Sequence, residues 1–234
     1  MPKISVLLPV KNGEKYISEA LESILKQTYQ DFEILVYNDN SSDFTLDVIQ
    51  SYDDPRIIIF NSKDGFIANL NSGIRESRGE YIARMDADDI MHPSRLETQL
   101  RIMDALNVDI CSSWLLVFGE RINNYIQDYE KRAGVIKNSL QELSKTNFVA
   151  HSSVMLRKNF LLKYDLKYVN YPHAEDYKLW SEAAKKGAIF YVEPQALMAY
   201  RFSADQVSRK NAQEVINQSI RIENEIKQFL SAGQ

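Results

Sequence analysis

Ile4-Ser5-Val6-Leu7-Leu8-Pro9-Val10 is a near-continuous apolar, β-favouring run. A strand buried on both faces reads this way, and such strands belong to parallel sheets covered by helices on two sides. After Lys11-Asn12-Gly13-Glu14 the period changes. Ile17, Ala20, Leu21, Ile24 and Leu25 recur at the spacing of one helix face.

The alternation continues. Residues 33–37 read as a second strand, followed by the polar turn Asn38-Asp39-Asn40-Ser41-Ser42. Ser41, Ser42 or Asp43 can cap a helix carrying Leu46, Val48 and Ile49. Residues 56–60 and 81–85 read as strands, 65–76 as a helix, and Ser94 can cap a helix carrying Leu96, Leu100 and Met103. Strand and helix taken in turn predict right-handed βαβ units and an α/β fold. The second half is less regular, with strands expected at 108–118, 153–156, 189–192 and 196–202 and a helix at 176–186. Residues 209–230 predict a long helix whose wide apolar face runs from Ala212 to Leu230.

The 234 residues suit one domain, with 44% apolar and 26% charged residues, as in globular chains. A formal charge of −4 argues against a nucleic-acid partner. The single cysteine, Cys111, forms no intrachain disulfide and fits a reducing compartment. The run at Ile4–Val10 lacks a cleavage pattern after it, and no apolar run approaches a membrane span, so a cytoplasmic location is expected.

In open parallel sheets ligands bind beyond the carboxyl ends of the strands. Three such ends are polar here: Pro9-Val10-Lys11-Asn12-Gly13, Asn38 to Asp43, and Asp86-Ala87-Asp88-Asp89. The first lacks both the dinucleotide-binding and the P-loop glycine patterns, so another group must neutralise any bound phosphates. Three carboxylates among four residues repel one another unless a cation sits between them. Mg²⁺ typically takes one or two carboxylates together with substrate phosphate oxygens. Asp39 can accept a hydrogen bond from the imide N–H of uracil, or simply serve turn chemistry. Glu175 and Asp176 open a predicted helix, where carboxylates are stabilised by the dipole; either is also placed to act as a general base.

These segments, with Ser23-Ile24-Leu25-Lys26-Gln27-Thr28-Tyr29 and Glu175-Asp176-Tyr177-Lys178-Leu179-Trp180, follow one another in the order and rough spacing of the family 2 glycosyltransferases. The chain resembles that family from Ile4 to about Ser208. The resemblance implies a GT-A-like fold: a mostly parallel central sheet flanked by helices, a mixed C-terminal half and a long C-terminal helix. Residues 1–107 would form the nucleotide-sugar-binding half, 108–208 the acceptor-binding half and 209–234 the helix, all within one domain.

It further implies an inverting, metal-dependent hexosyl- or N-acetylhexosaminyltransferase that uses a UDP-sugar and Mn²⁺ or Mg²⁺. The acceptor would be a glycan or lipid-linked glycan of a cell-surface polysaccharide. Asp176 resembles the catalytic base. Pro9, Asn12, Asp39, Asp86, Ala87 and Asp88 would bind the nucleotide sugar, with Asp88 and Asp86 on the metal. His151, Glu175 and Trp180 would lie on the acceptor side. The chain departs from the family where Lys11 replaces a common tyrosine, where Asn38 and Asn40 flank Asp39, and where Ser203 replaces a histidine in 200–208. Arg201 is the remaining phosphate partner there. A catalytically inactive nucleotide- or glycan-binding subunit and a sugar nucleotidyltransferase are the alternatives. The C-terminal helix face is expected to pack on its own domain, with a homodimer seam or a peripheral contact at the inner membrane face as the alternatives.

Overall fold

The computed structural model describes residues 1–119, 122–203 and 210–232. Strands β1 (Ile4–Val10), β2 (Phe32–Asp39), β3 (Ile57–Ser62) and β4 (Tyr81–Arg84) alternate with helices α1 (Ile17–Leu25), α2 (Thr45–Gln50) and α3 (Phe66–Glu76). All pairings among these four strands are parallel, with β1 between β2 and β4. Every residue of β1 and β2 is buried, because helices cover both faces. Val6 and Leu8 point into the core beneath α1, and Leu7 into the core on the opposite face with Leu70 and Trp180.

β5 (Ile90–Met91) and α4 (Arg95–Leu106) lead into the mixed half. It holds β6 (Ile110–Gly119), β7 (Tyr125–Gln127), β8 (Gly134–Val135), α5 (Ser139–Leu143), a 3-10 turn (His151–Ser153), β9 (Met155–Arg157), α6 (Lys158–Lys163), α7 (Glu175–Lys185) and β10 (Phe190–Phe202). The strands join one sheet in the order β3-β2-β1-β4-β9-β6-β10-β5, with β7 on β6 and β8 on β10. β9 runs antiparallel to both β4 and β6, so β6 and its parallel partner β10 point the same way as β1–β4, and β9 alone interrupts the parallel run between the two halves.

The two strands expected at 189–192 and 196–202 are one. Glu193-Pro194-Gln195 reads as a break, yet β10 carries register shifts against β6 between Glu193 and Met198. A bulge accommodates a proline that lacks a ladder donor. The short elements β5, β7, β8, α5 and α6 carry too few residues for a periodic signal and escape the sequence reading.

The C-terminal helix α8 (Ala212–Ala232) lies back on the domain. Ile222 and Ile226 are fully buried in the same core as Trp180. Lys178 of α7 donates to Glu225 at 2.6 Å. Ile216, Ile220 and Phe229 stay about half exposed, so only part of the apolar face is covered. Arg209, where the helix was expected to begin, lies outside the described residues. No helix among the described residues is long and apolar enough to cross a membrane.

Candidate active site

The carboxyl ends of β1, β2 and β4 open onto a cleft of about 1090 Å³, and the loops of the mixed half close its far side. Pro9, Lys11, Asn12, Asp39, Asp86, Ala87 and Asp88 line it from the parallel half, and His151, Glu175 and Asp176 from the other. The sequence thus brings together residues up to 167 positions apart (Pro9 to Asp176), because loops of the mixed half lie against the carboxyl ends of the parallel strands.

The loops after β1 and β2 are tied to each other. Ser41 Oγ accepts from the Asn12 amide at 2.9 Å, and Asn12 Oδ1 accepts from the Ser42 amide at 2.8 Å. Gly13 N–H donates to Thr45 Oγ1 at 2.8 Å, and Glu14 N–H to Asp43 Oδ2 at 3.1 Å. Asn12 and Asn40 both take left-handed backbone angles, which asparagine tolerates. Asn12 therefore builds the rim of the cleft through contacts with its neighbours. Asp39, 9% exposed, accepts the Gly65 N–H on Oδ1 at 3.2 Å and has Lys11 Nζ 3.6 Å from Oδ2. Gly65 precedes α3 with φ of 88°, an angle that side chains rarely adopt.

The acidic run after β4 divides into three environments. The buried Arg84 guanidinium forms a bidentate pair with Asp86, 2.5 Å to each carboxylate oxygen. Asp89 is fully buried, and its Oδ1 accepts from the Arg201 amide at 2.8 Å. Burial, then the charges of Asp86 and Asp88, pushes the Asp89 carboxyl well up. Asp88 forms no ion pair with any described residue, and burial together with the charge of Asp86 pushes its carboxyl up to about 6. A carboxylate crowded in this way gains most from a divalent cation. Arg84 already compensates Asp86, so the uncompensated charge facing the cleft is centred on Asp88. The chemistry of these residues fits a cation that Asp88 would chiefly hold, with its remaining positions left to groups other than protein carboxylates. No group of three or more His, Cys, Asp or Glu side chains in metal-holding geometry occurs among the described residues.

On the far wall, Asp176 sits in the first turn of α7 and accepts from Asn147 Nδ2 at 3.1 Å. Burial raises the Asp176 carboxyl, against hydrogen bonds from the Tyr177 amide and Asn147. Burial and then the Asp176 charge raise Glu175 to about 7. Both acids are thus stronger bases than in water.

Two expectations, those for Trp180 and Arg201, need revision. Trp180 is 0% exposed, meets His151 ring to ring at 6.0 Å, and does not line the cleft. One turn beyond Asp176 on the same face of α7, it lies deeper, in the core that holds Leu7 and Leu70. His151 does line the cleft, but its Nε2 pairs with Tyr168 Oη at 2.9 Å and burial, then Arg84, lowers its pKa well below the ordinary value. It is held neutral inside an aromatic cluster. Arg201 is committed elsewhere: it pairs with Glu19 at 2.7 Å, donates to the Asp88 carbonyl at 2.8 Å, and stacks on Tyr16. It holds the acidic loop in place from behind. Ser203 lines the cleft, and residues 204–208 of that segment lie outside the described residues.

The sequence reading missed Arg84 and Asn147. Arg84 carried a signal: an arginine two residues before Asp86 in an extended segment shares its face. Asn147 carried none, since only folding brings it to Asp176.

The comparisons with known proteins agree with this geometry. Residues 5–164 match the family model described as glycosyl transferase family 2. An uncharacterised glycosyltransferase of Haemophilus influenzae is 35% identical over 219 residues, covering 88% of this chain and 68% of the relative. One of Methanocaldococcus jannaschii is 31% identical over 209 residues, covering 86% of this chain and 71% of the relative. Among solved structures, S. aureus TarS residues 1–349 in complex with UDP-GlcNAc superposes with a TM-score of 0.73 at 22% identity, covering 87% of this chain and 60% of that one. The mannosyltransferase PcManGT from Pyrobaculum calidifontis, in complex with GDP-Man and Mn²⁺, gives 0.70 at 15% identity, covering 100% of this chain and 76% of that one. These two share the fold, a central mostly parallel sheet flanked by helices. By sequence and by architecture, this chain belongs to glycosyl transferase family 2 and is a glycosyltransferase of the GT-A fold.

Proposed function

We propose that the cleft transfers a sugar from a UDP-sugar to an acceptor hydroxyl with inversion, using Asp176 as base and a divalent cation at Asp88. One observation carries this reading: Asp39 and Asp88 on one wall face Glu175 and Asp176 on the other across a single cleft. Asp39 accepts the imide N–H of uracil at the end of β2. Asp88, with Asp86 beside it, faces the diphosphate, and Mn²⁺ or Mg²⁺ there would supply Lewis acidity to the leaving group. That TarS and PcManGT were solved with nucleotide sugars, and PcManGT with Mn²⁺, supports the donor class.

The acceptor oxygen attacks the anomeric carbon from the face opposite the diphosphate. One bond forms as the other breaks, so a single base suffices. Asp176 takes the hydroxyl proton. Its raised pKa improves the driving force, and the bond from Asn147 fixes which oxygen is free. The acceptor is a glycan, lipid-linked or free, in the synthesis of a cell-surface polysaccharide. Glu175 borders its site.

Calorimetry with UDP, with and without Mn²⁺, tests the donor side. The cation should tighten UDP binding to the wild type, and Asp88→Asn should lose that gain while the metal-free affinity stays. Equal cation enhancement in both proteins would remove Asp88 from the metal site.

A further inference from the structure

Lys11 is the first residue after β1, and Asp39 is the last residue of β2. The parallel register sets Val10 beside Asn38, so the next step along each strand sets Lys11 beside Asp39. The Asn12 bonds to Ser41 and Ser42 lock the two loops in this relation. The Gly65 N–H fixes one oxygen of Asp39, and Lys11 Nζ stands 3.6 Å from the other. Both side chains line the cleft.

We infer that Lys11 and Asp39 act as a two-point reader of the nucleobase, with Lys11 as the residue that selects bases carrying a carbonyl next to a ring N–H. This rests on the donor reading above, in which Asp39 accepts a ring N–H. A carboxylate only accepts and an ammonium only donates. With Asp39 on the ring N–H, the neighbouring ammonium meets the flanking carbonyl oxygen. Uracil and thymine offer that pair at N3–H and O4, and guanine offers it at N1–H and O6. Cytosine and adenine held in the same position present a bare ring nitrogen to the carboxylate and an amino group to the ammonium. Both contacts are then repulsive, and a site built for the other pattern rejects them strongly because its polar groups are left unpaired.

The test is a calorimetric titration of wild type, Lys11→Met and Lys11→Arg with UDP, TDP, GDP, CDP, ADP and uridine. The wild type should prefer one of UDP, TDP or GDP over CDP and ADP, and the first three arms identify which base the cleft admits. Lys11→Met should weaken the preferred nucleotide about tenfold or more, as expected for losing a charge-assisted hydrogen bond, with little change for CDP and ADP. Uridine should weaken by the same factor if uracil is the preferred base, and Lys11→Arg should restore most of the loss. An equal loss for all five diphosphates would assign Lys11 to the phosphates and overturn the inference. So would an unchanged order of preference in Lys11→Met with UDP binding intact, which would leave the donor reading standing. Binding of no nucleoside diphosphate at all would overturn both.

Discussion

The two walls of the cleft are built by different means. The wall from β1, β2 and β4 is a set of adjacent parallel strand ends, and its loops are tied by hydrogen bonds between Asn12, Ser41, Ser42, Asp43 and Thr45. The opposite wall comes from a segment of short strands and turns that holds left-handed residues at Tyr129, Glu130, Lys131, Asn138, Asp165 and His173. Its acidic residues, Glu175 and Asp176, are placed by the start of α7 and by a long-range bond to Asn147. One wall is thus fixed by hydrogen bonds between neighbouring loops. The other is set by distant packing and gathers its chemistry at one helix end. Binding and chemistry should therefore be separable by mutation.

Asp176→Asn is the sharpest cut. It keeps shape and removes basicity, so turnover at saturation should fall about 10²–10⁴-fold, with UDP affinity unchanged. Steady-state kinetics beside calorimetry reads both. Weakened UDP binding with turnover intact would move Asp176 to the donor wall, leaving Glu175, which also lines the cleft, as the base to test.

Asp39→Ala should do the opposite. Loss of a hydrogen bond to a charged group costs about 1.5–3 kcal/mol, so UDP affinity should fall by tens of fold. Turnover at saturating donor should change little. Unchanged UDP affinity in calorimetry would exclude Asp39 from the base site and erase the contrast between the walls.

Glu175→Gln should have a smaller effect, visible in stability. The folded protein holds Glu175 near 7, above its ordinary 4.5, so the ionised form is disfavoured on folding. The unfolded chain releases this proton first as pH rises, and stability is lost between about 4.5 and 7. The variant should therefore melt with the wild type near pH 4 and above it at pH 7.5. A melting difference that does not vary with pH would show that burial of Glu175 carries no charge cost.

The same contrast governs what was legible in the sequence. The parallel half was legible because its strands are continuous apolar runs and its helices keep one period. Ile4–Val10 was found to the residue, and α3 to within its capping Gly65. Asp39, Asp86 and Asp88 were visible because strand ends in a parallel sheet mark the ligand side. The far half was harder. Pro194 hid the continuity of β10, and β7 and β8 are too short to leave a pattern. Trp180 was misread because the i, i+4 spacing puts it on the face of Asp176 but says nothing about how far along α7 the cleft reaches before the core begins. The division of labour inside Asp86-Ala87-Asp88-Asp89 was also hidden. Only the fold shows Arg84 compensating Asp86, the Arg201 amide capping Asp89, and Asp88 left facing the cleft.

The central claim is that a cation-dependent donor wall and a base-bearing wall act on one bound nucleotide sugar. Its most direct test is nucleotide release from a panel of nucleotide sugars by this chain with an acceptor glycan and Mn²⁺, repeated in excess chelator and again after the metal is restored. Release should be confined to one nucleotide class, vanish with chelation and return with Mn²⁺ or Mg²⁺. Full turnover in excess chelator would contradict the claim.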